Sequence, residues 1–169
     1  RLTVARAIGI DPGSRFTGYG IVEFEGGTLK HIFNGTVQIS GQLDFPQRLK
    51  IIYLELSAVI DNFQPHCMAV EDVFLAKNAK SALKLGQARG AAILAGVNAG
   101  LPVFEYSALE IKQSVVGYGR ASKEQVIEMI RYLFGLRELV NSNAADALAA
   151  AVCHLNTSAS QSRWKVLHR

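Results

Sequence analysis

The sequence has little or none of several features that mark particular classes of protein. No apolar run approaches the ~20 residues that a membrane-spanning helix needs, and no secretory signal or internal repeat is recognisable. The two cysteines, Cys67 and Cys153, lie far apart in apolar segments, which argues against a zinc-binding pair and predicts two reduced core thiols. No histidine has a partner at zinc-protease spacing. We therefore expect a cytoplasmic protein without membrane contact.

Size and charge are those of a single globular domain with a mildly basic surface. Of the 169 residues, 49% are hydrophobic, which is enough for a real core. The net charge of +4 is compatible with a polyanionic partner without requiring one. We expect residues 4–156 to form the domain. Residues 157–169, rich in Ser, Gln, Arg and Lys, are expected to form a frayed basic tail.

The hydrophobic patterns predict an α/β domain with five strands. The first three strands follow one another with glycine-containing turns, which is typical of an antiparallel meander. The spacing of apolar residues then changes to three and four after Asp44, which predicts an amphipathic crossover helix. Such a crossover places the fourth strand parallel to the first and beside it. Strands are predicted at 7–11, 16–24, 29–40, 67–71 and 103–106, and helices at 45–63, 79–99, 108–116, 123–133 and 143–155.

Two of these strands end on an acidic residue. The first carries Asp11 immediately before the turn residues Pro12 and Gly13, and the fourth ends on Glu71. Side chains alternate across a strand, so each acid shares its face with small residues. Small residues on that face predict that another backbone packs very closely against it.

The segment 143–155 is the candidate for this close neighbour. It is rich in alanine and apolar almost all round, which predicts a buried helix. Asp146 then needs a metal ion or hydrogen-bond donors, because burying an unpaired carboxylate is costly. Asn143 lies one turn earlier on the same face. Alternatively, Asp146 only favours the positive end of the helix and Asn143 caps it, but this explanation leaves Asp11 and Glu71 unaccounted for.

Clustered carboxylates of this kind are typical ligands of hard divalent cations. Oxygen donors favour Mg²⁺ or Mn²⁺ over Zn²⁺. Two such ions ~3.5 to 4 Å apart hold the attacking water and the leaving oxygen of a phosphodiester. We therefore predict Mg²⁺ as the cofactor, with Mn²⁺ able to substitute.

The predicted helix at 79–99 carries two stripes that differ in character. Ala82, Gly86 and Gly90 recur at every fourth position, which allows close packing either on the sheet of the same chain or on a second copy. The other stripe is basic and is either the solvated face of the helix or a contact for a phosphate backbone. Its lysines and their basic neighbours are Lys77, Lys80, Lys84 and Arg89.

Several motifs resemble those of the RuvC family of bacterial Holliday junction resolvases. The longest, KNAKSALKLGQARG at 77–90, is highly specific, and the similarity extends from about Ile8 to His154. The other motifs are IDPGS at 10–14, TGYG at 17–20, VEDVF at 70–74, VVG at 115–117 and AADALA at 144–149.

The resemblance implies a fold, an activity and partners. It implies a ribonuclease H-like fold, a five-stranded mixed sheet with helices on both faces. It also implies a homodimer that makes paired symmetric Mg²⁺-dependent nicks in four-way DNA junctions during recombination and DNA repair. Branch-migration helicase subunits of the RuvA and RuvB type are the implied protein partners.

Carried over by position, the resemblance also implies a set of site residues. Asp11, Glu71 and Asp146 match the metal-binding acids of the family. Where the family usually has a fourth acid or a His, this chain has Asn143, whose amide oxygen adds no negative charge, so the second ion is expected to bind more weakly. The catalytic and metal-binding set is thus Asp11, Glu71, Asn143 and Asp146. The predicted DNA contacts are Phe74, Lys77, Lys80, Lys84, Arg89, Lys112, Tyr118, Arg120 and Lys123.

Some alternatives remain open at this point. Phe74 and Tyr118 are either buried or stacked on unpaired bases at the junction. The DPG turn also resembles the phosphate loop of the actin and sugar-kinase ATPases, which need two such lobes where this chain has length for one. A protein that binds junctions without cutting them is the second alternative, because Asn143 leaves only three acids.

Overall fold

A computed structural model of the chain describes residues 4–72, 78–138 and 141–167, without the side chains of 162–167. The strands and helices follow one another largely as the periodicities predict. Their bounds are β1 Ala5–Asp11, β2 Phe16–Glu25, β3 Thr28–Gln38, α1 Phe45–Phe63, β4 Cys67–Asp72, α2 Ala79–Asn98, β5 Val103–Ser107, α3 Ala108–Val116, α4 Lys123–Phe134 and α5 Ser142–Leu167.

The five strands form one mixed sheet in the order β3-β2-β1-β4-β5. The pairs β1–β2 and β2–β3 are antiparallel, whereas β4 runs parallel to both β1 and β5. The predicted meander and the predicted place of β4 beside β1 are both confirmed. The parallel pairing follows from α1, which carries the chain back over the sheet before β4 begins.

Helices cover both faces of the sheet, as predicted. Ile8 and Ile10 of β1 point to one face, where they join a core with α1 and α2. Ala7 and Ala69 point to the other face, where the core is formed with α3, α4 and α5. The cysteines are free and buried. Among the residues that the structure describes, no helix combines the length and apolar content that crossing a membrane requires.

Capping residues fix the start of the two helices that follow β5. In α3 and in α4 a serine hydroxyl accepts a hydrogen bond from the backbone of the third helical residue, whose own side chain bonds back to the serine N–H. The serines are Ser107 and Ser122. Lys123 therefore stands at a defined position, the first residue of α4.

The end of the chain differs from the predicted frayed tail. Helix α5 continues past Thr157 to Leu167 without a break. The Thr157 hydroxyl donates to the Cys153 carbonyl at 2.8 Å, and the Asn156 amide donates to the Ser114 hydroxyl of α3 at 3.4 Å. A helix that is already nucleated gains one backbone bond per added residue, so a polar composition does not by itself end the helix here.

Candidate active site

Helix α5 lies directly against the backbone of β1 and β2. A Cβ atom on Gly9 would stand 1.8 Å from the Ala147 carbonyl oxygen, and one on Gly18 would stand 2.0 Å from that of Asn143. Real Cβ atoms do not approach this closely, so the contact requires glycine at both positions. The close packing predicted for the acid-bearing face is confirmed.

The strand register then brings the acids together. Ile10 is opposite Val70 in the parallel pair of β1 and β4, so Asp11 and Glu71 follow at neighbouring positions where the two strands end. The N-terminal turn of α5 supplies Asn143 and Asp146 from above the same edge. All four side chains line one cavity of about 490 Å³.

Like charges oppose one another in this cavity. Burial, and then the charges of Asp146 and Glu71, raise the pKa of Asp11 to about 7, while Lys123 acts in the opposite direction. Burial and Asp146 also raise the pKa of Glu71, against the lowering effect of Lys123 and Lys112. Crowded carboxylates of this kind are stabilised by a bound cation.

Lys123 supplies a positive charge inside the cavity. Its ammonium nitrogen lies 2.9 Å from Oδ2 of Asp146, whose side chain is 21% exposed. The hydrogen bond to Asp146 raises the pKa of Lys123. Lys112 and Lys123 both line an adjoining cavity of about 220 Å³, together with Glu71 and Asp146. The two lysines predicted to lie near DNA therefore stand beside the acids.

The donor atoms suit a hard divalent cation, but the acids are not gathered tightly around one point. Across residues 4–72, 78–138 and 141–167, no three His, Cys, Asp or Glu side chains form a ready-made metal site. The donors that line the cavity are carboxylate and amide oxygens, the ligands of Mg²⁺ and Mn²⁺. Lys123 contacts only Oδ2 of Asp146, so the second oxygen is left for a cation, and the chemistry of the site fits a metal.

The loop between α3 and α4 exposes two of the predicted DNA contacts. Tyr118 is 47% exposed, which argues against its burial under the loop, and the side chain of Arg120 is exposed nearby. On α2, Lys80 is exposed and the Lys84 ammonium lies 5.7 Å from the ring centre of Phe45. Two further predicted contacts, Phe74 and Lys77, lie outside the described residues.

Arg89 has a different environment from the one expected of a DNA contact. Its guanidinium lies 2.8 Å from a carboxylate oxygen of Glu105 and 3.8 Å from one of Asp72, and its side chain is only 19% exposed. The two acids already balance its charge. The sequence pattern placed it with the lysines of α2 because Glu105 and Asp72 belong to strands that meet α2 only in the fold.

The family of the chain follows from comparison with known proteins. A sequence profile described as crossover junction endodeoxyribonuclease RuvC matches residues 7–154. The chain belongs to the RuvC family. A RuvC protein of Geobacter sulfurreducens is 57% identical over 157 residues, which cover 93% of this chain and 96% of that protein. Membership in this family of endonucleases also decides against the ATPase alternative.

Solved RuvC structures share the fold. The structure of Thermus thermophilus RuvC in complex with a Holliday junction substrate has a TM-score of 0.86 at 35% identity, covering 91% of this chain and 94% of that one. The yeast mitochondrial Holliday junction resolvase Ydc2 has a TM-score of 0.71 at 15% identity, covering 96% and 82%, which shows a common fold. The predicted ribonuclease H-like architecture is confirmed.

Proposed function

We propose that this chain is a cytoplasmic endonuclease that resolves four-way DNA junctions by paired symmetric nicks in recombination and DNA repair. The observation that carries the proposal is that three acids and two lysines share one edge of a RuvC fold. Thermus thermophilus RuvC forms a complex with a Holliday junction substrate, and we propose the same substrate here. Residues 4–156 are proposed to supply the nuclease domain.

The chemistry is proposed to depend on divalent cations held by Asp11, Glu71 and Asp146. Bound Mg²⁺ or Mn²⁺ activates water and stabilises the leaving oxygen of a phosphodiester. Asp11 must be ionised to act as a ligand, and a bound cation counteracts the burial and the carboxylate repulsion that together raise its pKa. Lys112 and Lys123 bind phosphate oxygens and hold the backbone of the DNA over the acids.

Asn143 is proposed to moderate this activity. It lines the cavity with the three acids, and its amide oxygen is a neutral ligand. A site with three carboxylates attracts two divalent cations less strongly than a site with four. The second ion is therefore expected to bind weakly, and the rate of cleavage to be limited by its occupancy.

A nicking assay tests the proposal directly. Purified protein and a four-way junction are incubated with Mg²⁺ or Mn²⁺, and binding without metal is measured in parallel. The variants Asp11→Asn, Glu71→Gln and Asp146→Asn are expected to abolish cleavage and leave binding largely intact. Asp61→Asn, an exposed position on α1, is the control. Junction binding without cleavage by the unaltered protein in either metal would instead support a binding protein that does not cut.

We also propose that α2 forms the contact of a homodimer. Leu83, Leu94 and Val97 are 69%, 51% and 53% exposed on this helix. A Cβ on Gly86 or Gly90 would meet no atom within 4 Å, so this side of the helix does not pack on the sheet of its own chain. A two-fold dimer presents two equivalent sites to a junction that has two-fold symmetry. Helicase subunits of the RuvA and RuvB type are the proposed protein partners.

A further inference from the structure

A second cavity adjoins the acid-lined one. It has a volume of about 730 Å³ and lies between the start of β2, the end of β3 and the loop that follows β3. Arg15 and Phe16 line both cavities. These two side chains therefore form a common boundary of the two cavities.

Arg15 offers an available positive charge at this boundary. The residue is exposed, and its guanidinium lies against Gly41, where an added Cβ would be 2.5 Å from Nη1. Within the described part of the chain no carboxylate lies within 4 Å of it, in contrast to the paired cations Arg6, Arg89 and Lys123. The Arg15 carbonyl accepts a hydrogen bond from the Ile39 amide at 2.9 Å, so its backbone is fixed to β3.

The loop that lines this cavity is held in place by hydrogen bonds. Arg48 of α1 donates to the carbonyls of Leu43, at 2.9 Å, and Gly41, which fixes the loop after β3. The Arg48 guanidinium and the Lys84 ammonium lie 5.9 Å and 5.7 Å from the Phe45 ring centre. Because Gly41 lines the cavity, Arg48 fixes one of its walls without lining it itself.

Phe16 adds an exposed aromatic surface at the same boundary. It is 44% exposed, and it lies immediately beside Arg15 at the start of β2. An exposed aromatic ring next to a cation is the usual combination in grooves that bind single-stranded nucleic acid, where bases stack on the ring and phosphates meet the cation.

We propose that the DNA strand being cut continues from the acids into this second cavity. Arg15 binds a phosphate next to the one that is cleaved, and Phe16 stacks on the adjoining nucleotide. The sheet order β3-β2-β1-β4-β5 places this contact on one side of Asp11 and the Lys112 contact, beside Glu71 of β4, on the other. The strand is thereby held on both sides of the cleavage point. This inference rests on the proposed junction-cutting function.

Single uncharged linkages in the DNA test the contact without any metal present. Junctions are made with one methylphosphonate linkage at successive positions around the cut site, and their affinity is measured in chelator for the unaltered protein, Arg15→Gln and Arg15→Lys. The unaltered protein is expected to lose affinity roughly three- to tenfold at linkages that it contacts. The affinity of Arg15→Gln is expected to be unaffected by the methylphosphonate at one of these linkages only. The affinity of Arg15→Lys is expected to be reduced there, as in the unaltered protein.

Two further measurements make the outcome decisive. Lys50→Gln, at an exposed position on α1 that lines neither cavity, is expected to keep the full pattern of sensitivity. A fluorescent 2-aminopurine base beside the cut is expected to be quenched by the unaltered protein and not by Phe16→Ala. Unchanged sensitivity of Arg15→Gln at every linkage overturns this inference alone, whereas failure of the unaltered protein to bind any junction overturns the proposed function as well.

Discussion

Gly18 touches the backbone of Asn143, and it is also the residue opposite Asp11 in the ladder between β1 and β2. One glycine therefore separates two members of the proposed site. Because the contact is made by backbone atoms, the distance between the strand acid and the helix is set by the main chain. The side-chain rotamers of Asp11 and Asn143 change only the positions of their own oxygen atoms.

The tight contact of α5 predicts a steep cost for any side chain at Gly9. Gly9→Ala places a Cβ 1.8 Å from the Ala147 carbonyl oxygen, so the helix has to shift. We expect a loss of roughly 1 to 3 kcal/mol in the free energy of unfolding, and a larger loss of cleavage because Asp146 moves with the helix. A Cβ on Gly20 would stand 2.6 Å from side-chain atoms of the buried Leu148 and 3.0 Å from its backbone Cα, a less severe clash, so Gly20→Ala should cost less in urea unfolding. Equal losses in the free energy of unfolding for the two variants would show that α5 shifts at little cost.

The raised pKa of Asp11 predicts a stability that depends on pH. Its pKa is about 7 in the folded protein against an ordinary value of 3.8, so between these values the folded state keeps a proton that the unfolded chain releases. Stability therefore falls as pH rises through this window. Asp11→Asn removes the effect and should stabilise the metal-free protein on the order of 2 kcal/mol at pH 8, with little change at pH 4.

Urea unfolding in chelator at the two pH values measures this difference. Asp61→Asn, the exposed control on α1, should leave the pH dependence unaltered. A gain for Asp11→Asn that is the same at pH 4 and pH 8 would trace the effect to packing and not to charge.

Restoring an acid at position 143 should increase cleavage. Asn143→Asp keeps the shape of the side chain and adds a negative charge to the cavity that holds Asp146. We expect a higher rate, and a larger increase in Mg²⁺ than in Mn²⁺, because Mg²⁺ gives up its water reluctantly and depends more on charged ligands. Rates across a series of metal concentrations test this, and metal-free junction binding should not improve. Identical rates for the Asn and Asp forms in both metals would remove Asn143 from the ligand set.

The two lysines beside the acids should act on DNA without regard to its sequence. Lys112→Ala is expected to weaken binding to every junction and to reduce the slope of log affinity against log salt by about one, because one phosphate contact is lost. Lys123→Ala should do the same and also remove the ion pair with Asp146. Lys50→Ala is the matched control. Salt slopes unchanged in both variants would place these lysines away from the DNA.

A charge on the exposed side of α2 should separate the proposed dimer. Leu83→Glu is expected to leave folding intact, since the side chain is 69% exposed, and to shift the protein to monomer in sedimentation at micromolar concentration. Leu54→Glu changes a leucine that is 51% exposed on α1 and should leave the dimer in place. A monomeric unaltered protein would contradict the proposal.

Local patterns in the sequence were sufficient to predict the strands and the helix that carry the site. Alternation and turn residues predict β1 and β4, and the position of Asp11 and Glu71 at their ends follows from the chain itself. The small residues on the acid-bearing face also predict the close approach of α5. Each of these features depends on residues that are close together in the sequence, so it can be predicted without knowledge of the fold.

Contacts between distant segments were not predictable in this way. The ion pair of Lys123 with Asp146 and that of Arg89 with Glu105 join elements whose spacing carries no periodic signal. Arg15 and Phe16 follow Asp11 closely in the sequence, but only the fold shows that both line the cavity that holds the acids. The polar composition after Thr157 predicted a frayed tail, but composition alone does not decide where a helix ends.

The place of α5 in the chain has a consequence for biosynthesis. This helix begins at Ser142, after all five strands, so it is made after the sheet, and it supplies both Asn143 and Asp146. A growing chain that already carries the whole sheet, with Asp11 and Glu71 in place, still lacks half of the proposed ligands. If these residues act as proposed, a nascent or truncated chain that lacks α5 cannot cut DNA.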